Sequence, residues 1–111
     1  MPRAEASRDL PPPLEVECLK VLWTLGSGTV RQVKDGMHTR KLAYTTVMTL
    51  LDRLEKRGTV AREKHGRSFV YTPLATRDEM RKAAVKEMLD RFFEGNLDGL
   101  AQFLKTSSRE H

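Results

Sequence analysis

Residues 43–57 read AYTTVMTLLDRLEKR, and this stretch has the pattern of one helix with two unlike faces. Aliphatic residues recur at helical spacing and predict a buried stripe made of Val47, Leu50, Leu51 and Leu54. The opposite face begins with Tyr44 and three threonines, and basic residues follow further along. Short hydroxyl side chains let a helix approach another surface closely, which is typical of a helix that enters the major groove of DNA.

The positive charge of the chain is concentrated around this helix. The whole sequence has 111 residues, enough for one domain with a modest core, and a net charge of +5. Residues 29–73 hold ten basic and four acidic side chains, whereas residues 1–28 have a net charge of −1 and residues 74–111 are neutral. This clustering favours an acidic partner such as a nucleic acid.

Two further helices are predicted before this stretch. Residues 1–13 are polar, end in three prolines and are expected to form a disordered arm. The spacing of apolar residues predicts a helix over Leu14–Leu25, which Gly26 would end. A second helix is expected from Thr29 to about Met37, because Thr29 and Gln32 form a capping-box pattern. With the Ala43–Arg57 helix, this gives a helix-turn-helix arrangement.

The pattern becomes alternating after Gly58 and predicts a β-hairpin. Its strands are expected over Thr59–Lys64 and Arg67–Thr72, with His65-Gly66 as the tight turn. Arg62, Lys64 and Arg67 would make the tip basic. A basic hairpin that follows a groove-reading helix is a wing, and it can lie along the phosphate backbone beside the groove.

The last third predicts two more helices, over Thr76–Glu94 and around Leu97–Leu104, with a frayed tail. Their apolar stripes are too broad to be covered by one copy of so short a segment, so we expect pairing with a second copy by two-fold symmetry. The alternative is that the long helix packs on its own N-terminal domain. The expected dimer contacts are Met80, Ala84, Val85, Met88, Leu89, Phe92, Phe93, Leu100 and Leu104.

Several classes of protein are disfavoured by the sequence. There is no glycine-rich phosphate loop, nucleophile elbow or acid–base pair in an apolar context, so we expect neither an enzyme nor a cofactor. No histidines have metal-ligand spacing, and the single cysteine, Cys18, is expected in the core. No apolar run resembles a membrane span or a signal peptide, which predicts a cytoplasmic protein without a membrane partner.

Three segments closely resemble the penicillinase-repressor family: LKVLWTLGSGTVRQV, KLAYTTVMTLLDRLEKRG and REKHGRSFVYTPL. The likeness covers residues 14–74 and becomes looser after them. It implies a mostly α-helical fold with a small β-hairpin, in which residues 14–74 form a winged-helix DNA-binding domain and residues 75–111 a helical dimerisation module. It also implies a bacterial transcriptional repressor that binds double-stranded DNA at a dyad-symmetric operator as a homodimer.

The resemblance places Tyr44, Thr45, Thr46, Thr49 and Arg53 on the helix that enters the groove, and Arg67 on the wing. Basic residues at helix edges usually contact phosphates, so Arg40, Lys41 and Arg53 are expected to position the protein on DNA. Two alternatives stay open on the residues alone, namely a winged-helix module that binds an acidic protein and a non-specific nucleoid protein.

Two departures from the family limit what the resemblance implies about regulation. Members that answer β-lactam signals are cleaved at an Asn-Phe bond, and the similar position here is Gln102-Phe103. Regulation by a sensor protease is therefore not carried over. The Cys-x-Cys pairs of the copper-responsive branch are absent, which disfavours copper sensing.

Overall fold

The computed structural model describes residues 10–38 and 40–109, with no side-chain description for Arg109. Within these residues the elements are α1 (Pro13–Leu25), α2 (Val30–Gly36), α3 (Tyr44–Lys56), β1 (Val60–His65), β2 (Ser68–Pro73), α4 (Arg77–Phe92) and α5 (Leu97–Arg109). The chain divides into two compact units, with the boundary after Met80. The predicted fold class, mostly α-helical with a small β-hairpin, is confirmed.

The part of the N-terminal segment that the structure describes begins at Leu10, before the predicted domain boundary at Leu14. Pro12 has the extended backbone of a helix N-cap and Pro13 is the first residue of α1, where a missing N–H costs nothing. Pro11 is buried, and Leu10 packs against the core. Leu10 to Pro13 are therefore part of the first unit, and residues 1–9 of the predicted arm lie outside the described residues.

The helices of the first unit match the predicted pattern closely. The capping box of α2 is present, because the Gln32 backbone N–H donates to Thr29 Oγ1 (3.2 Å) and the Thr29 N–H donates to Gln32 Oε1 (2.9 Å). The four aliphatic residues predicted as the inner stripe of α3 are all buried. They meet α1 and α2 in a core that also contains Val33. This packing fixes which face of α3 points outward.

The hairpin turn lies one residue later than predicted. His65 pairs with Ser68 in the antiparallel register, so Gly66 and Arg67 form the two-residue turn. Gly66 has φ +63°, whereas Arg67 does not have a positive φ, which is the arrangement of a type II′ turn with glycine first. Tyr71 of β2 also exchanges two backbone hydrogen bonds with Gly28, so β2 is flanked on both sides.

The core of the first unit extends past the hairpin into the start of α4. The Trp23 indole N–H donates to the Ala75 carbonyl oxygen (2.9 Å), and both Ala75 and Met80 are buried. Cys18 is fully buried, as predicted, and its burial, with smaller contributions from Glu15 and Glu17, raises the pKa of the thiol to about 12. The thiol is thus protonated near neutral pH and acts as a small core side chain.

The second unit consists of the rest of α4 and of α5. The α4 helix ends at Phe92, two residues before the predicted end at Glu94. A left-handed pair, Glu94 (φ +49°) and Gly95 (φ +75°), follows it. The α5 helix runs to Arg109 rather than stopping near Leu104. This extension has a simple reason, since no glycine or proline follows Gly99 to interrupt the helix.

Within this second unit the two helices share a small apolar contact. Leu100 is buried, and the rings of Phe93 and Phe103 lie 5.8 Å apart in a tilted arrangement.

Of the described helices, none is both long enough and apolar enough to cross a bilayer.

Candidate nucleic-acid interface

The outer face of α3, defined here as Tyr44, Thr45, Thr46, Thr49 and Arg53, is open to solvent. Each of these side chains is exposed, and Tyr44 has 44% of its surface accessible. No part of the described chain covers the threonines, so the surface predicted to read DNA is available for contact.

The first turn of α3 leaves hydrogen-bonding groups available. The residue before it, Ala43, has no side-chain oxygen and makes no side-chain cap. The first N–H groups of the helix can therefore donate to a phosphate. Further along, Thr49 Oγ1 donates to the Thr45 carbonyl oxygen (3.0 Å), which directs the remaining acceptor capacity and the methyl group of Thr49 outward.

Exposed basic residues occur in three parts of the first unit, one of them on this face. Arg40 and Lys41 lie in the connector before α3, Arg53 lies on the helix and Arg67 lies in the hairpin turn, and all four are exposed. The ion pairs found among the described residues include none of these four cations. Their charge is therefore free to attract phosphate groups.

Other cations near α3 already have partners within the protein. Arg57 Nε donates to Glu15 Oε1 (2.8 Å), and the Glu15 carboxylate is buried between α1 and the end of α3. Arg62, which the sequence predicted at the basic tip of the wing, instead lies 3.5 Å from Asp52 of α3. Among the described residues, Lys64 and Arg67 thus have no ion-pair partner, whereas Arg62 is paired.

The structure adds Met48 to the candidate interface. This side chain lies one helical turn after Tyr44 on α3 and is 43% exposed. The signal was present in the sequence, because Met48 is four residues from Tyr44 and outside the buried stripe. An exposed apolar side chain beside threonines can contact a thymine methyl group.

The residues predicted to form the dimer interface fall into three groups. Met80 is buried in the core of the first unit and Leu100 in the second unit, so neither is retained as a proposed contact. Met88, Leu89 and Phe93 are half-buried. The exposed members are Ala84, Val85, Phe92 and Leu104, and the structure adds Leu97 and Phe103, which the prediction omitted.

The described residues contain no group of three or more histidine, cysteine, aspartate or glutamate side chains placed to hold a metal ion. The titratable groups on and around the outer face of α3 are instead ion-paired or solvent-exposed. The outer face of α3 thus presents hydroxyls and an aromatic ring beside a cation.

Known proteins with similar sequences include a repressor and a transcriptional regulator. The sequence is 33% identical over 87 residues to the "Penicillinase repressor" of Bacillus licheniformis, a match that covers 78% of this chain and 68% of that protein. It is 47% identical over 53 residues to the "Transcriptional regulator BlaI" of Mycobacterium tuberculosis (strain CDC 1551 / Oshkosh), covering 47% of this chain and 38% of that protein. The chain thus spans less than half of the mycobacterial relative.

A solved structure with a similar sequence has the same fold. This is the solution structure of the monomeric form of Bacillus licheniformis BlaI in complex with the blaP half-operator, which is 32% identical with a TM-score of 0.54. The match covers 64% of this chain and 88% of that one. The sequence profile of the penicillinase repressor family matches residues 12–110. The chain therefore belongs to the penicillinase repressor family and has its winged-helix fold.

Proposed function

We propose that this protein is a transcriptional repressor that binds a dyad-symmetric DNA operator as a homodimer, in the cytoplasm. Membership of the penicillinase repressor family supports DNA binding and repression. The observation that carries the mode of binding is the exposed outer face of α3, together with unpaired cations of the connector and the hairpin turn. In this mode α3 enters the major groove and the wing contacts the flanking phosphates.

Hydroxyls and a tyrosine suit this task better than the usual glutamate and lysine of a solvated helix. Threonine is a poor helix former, so three of them on one exposed face have a stability cost that packing does not offset. Their short side chains allow the helix backbone to approach the base edges, where hydroxyls can donate or accept hydrogen bonds. Arg40, Lys41 and Arg67 would then set the register through phosphate contacts.

Two copies are proposed because the second unit exposes large apolar side chains. Phe92 is 71% exposed and Leu97 is 63% exposed in the single chain. The opposite side of α4 carries the ion pairs Lys86–Asp90 and Arg91–Glu87, as expected of a surface that stays in water. The complex of the monomeric Bacillus licheniformis protein with a half-operator supports an operator of two halves.

Two-fold symmetry then fixes the form of the operator. Each subunit would place one α3 in one half-site, and the half-sites would be separated by roughly 10 bp or a multiple, about one turn of DNA. Binding there would block access of polymerase.

Regulation by cleavage at Gln102–Phe103 is not proposed. This bond lies within α5, where the Thr106 hydroxyl donates to the Gln102 carbonyl oxygen (3.0 Å). A protease would need local unfolding of the helix first.

A gel-shift titration with genomic fragments at two salt concentrations tests the proposal. We expect tight binding to a few fragments, with two chains per bound site, that persists at the higher salt concentration. Weak binding that disappears at moderate salt would support a winged-helix module for an acidic protein instead. Equal binding to all fragments would indicate a nucleoid protein, and either result would contradict the repressor.

A further inference from the structure

The face of the hairpin that points toward the helices continues beyond the core. At its base Val60 and Tyr71 are buried, and further out the same face carries Arg62 and Phe69. The guanidinium carbon of Arg62 lies 4.4 Å from the centroid of the Phe69 ring, a cation–π contact. This contact covers part of the aromatic ring and favours the position in which the arginine lies against it.

The edge of the same guanidinium group faces α3. Arg62 Nη1 lies 3.5 Å from Asp52 Oδ1, and Lys56 Nζ lies 3.3 Å from Asp52 Oδ2. Each carboxylate oxygen of Asp52 thus has a cation from a different element, one from the hairpin and one from α3. The side chains of Asp52 (37%) and Arg62 (35%) are both only about one-third exposed.

Asp52 places a negative charge in a part of α3 where we propose contact with DNA. It lies one helical turn after Met48, beside the outer face that we propose to meet DNA. An uncompensated carboxylate at this place would repel the phosphate backbone. The two cations offset part of that negative charge before DNA arrives.

We propose that Arg62 is a positioning residue, which compensates the charge of Asp52 and holds the wing against α3, and that it is not a phosphate contact. This inference rests on the proposed function. The guanidinium group of Arg62 already lies against Phe69 on one side and close to the Asp52 carboxylate through Nη1, so a phosphate would have to compete with Asp52 for its charge. Arg67 in the turn has neither restriction and is the phosphate contact of the wing.

The test is a double-mutant cycle on binding to a selected genomic fragment, with Arg62→Gln, Asp52→Asn and the double variant. We expect Arg62→Gln to weaken binding about tenfold or more, because it leaves the Asp52 carboxylate beside DNA. Asp52→Asn alone should stay within about threefold of the wild type, and adding it to Arg62→Gln should recover most of the loss. Arg62→Gln should also have a shallower salt slope, because salt screens the repulsion from Asp52, and the double variant should recover the wild-type slope.

Arg67→Gln is the matched control, since it removes a charge from the same hairpin. It should flatten the salt slope by about one unit, and Asp52→Asn should not rescue it. Thermal melting of each variant verifies folding, and Arg62→Lys, which keeps the charge but not the planar stack, should bind better than Arg62→Gln.

The outcomes separate this inference from the function on which it rests. If the wild type binds selectively but Asp52→Asn restores neither the affinity nor the salt slope of Arg62→Gln, Arg62 contacts phosphate and the inference is overturned. If the wild type shows no selective binding to any fragment, the proposed function is contradicted and this inference with it.

Discussion

Thr49 combines exposure with an internal hydrogen bond, and this makes it a good probe of base reading. Its hydroxyl hydrogen is used by the Thr45 carbonyl, so Thr49 offers DNA an acceptor and a methyl group. We expect Thr49→Ala to weaken operator binding by ~1–3 kcal/mol and to relax the preference at one base position. Thr24→Ala is the matched control, because Thr24 is an exposed helical threonine with the same bond, to the Lys20 carbonyl oxygen (3.2 Å).

Binding titrations against the selected fragment and its single-base variants provide the measurement. The control variant should bind like the wild type, because Thr24 lies on α1, away from the proposed interface. Equal affinities for Thr49→Ala and the wild type on every fragment would remove Thr49 from the reading face.

Arg67 is proposed as a phosphate contact, which positions the protein on DNA without reading the base sequence. It is exposed in the hairpin turn, and the ion pairs of the described residues do not include it. Arg67→Ala should lower affinity for all DNA sequences alike and reduce the slope of log affinity against log salt by about one unit. Lys20→Ala, which removes an exposed charge from α1, should leave the slope unchanged. A selective loss for one sequence would assign base contact to Arg67 instead.

At the scale of helices and strands, sequence patterns predicted correctly those features whose residues lie within a few positions of each other in the chain. The capping boxes at Thr29 and Thr76 are both present, because each needs only a residue three positions away. The buried stripe of α3 also follows from helical spacing alone. The turn was misplaced by one residue, since both His65-Gly66 and Gly66-Arg67 contain a glycine and only the strand register decides between them.

Contacts between distant segments could not be predicted in the same way. Helical spacing showed that Met80 belongs to an apolar row, but not that it would lie in the core of the first unit. The pairing of Arg62 with Asp52 depends on how the hairpin lies against α3, and no local pattern encodes that geometry. Charge clustering therefore predicted that exposed cations lie around α3, and the outer face of α3 stays a proposed interface. The same clustering did not predict the ion pair of Arg62.

The close packing of α1 on α2 gives a prediction at this scale. A Cβ atom at Gly36 would lie 2.6 Å from Cγ1 of Val21, whereas one at Gly99 in α5 would meet its nearest atom at 3.6 Å. Gly36→Ala should therefore destabilise the fold by about 1–3 kcal/mol through overpacking. Gly99→Ala should instead stabilise it by up to ~1 kcal/mol, because alanine is the better helix former.

Urea unfolding at one fixed protein concentration measures both changes, since an associating protein is also stabilised by its partner. The two glycines are matched because both lie in helices and neither has a positive φ. Destabilisation of similar size in both variants would mean that helix geometry, and not contact with Val21, determines the cost.

At the scale of the whole molecule, the proposal requires self-association through the second unit. Phe92→Asp places a charge where a large apolar side chain is exposed, so it should shift the protein from dimer to monomer at micromolar concentration. Lys86→Asp, on the ion-paired side of α4, should leave the dimer intact. Sedimentation velocity distinguishes the species, and a wild type that is monomeric under these conditions would contradict the dimer.

The central claim is that two copies of α3 read the major groove at symmetric positions, and methylation interference on a selected fragment tests it most directly. Guanine N7 lies in the major groove, and adenine N3 lies in the minor groove. We predict that N7 methylation blocks binding at two positions related by a dyad and about one helical turn or a multiple apart. Interference confined to adenine N3, or lacking two-fold symmetry, would contradict the account.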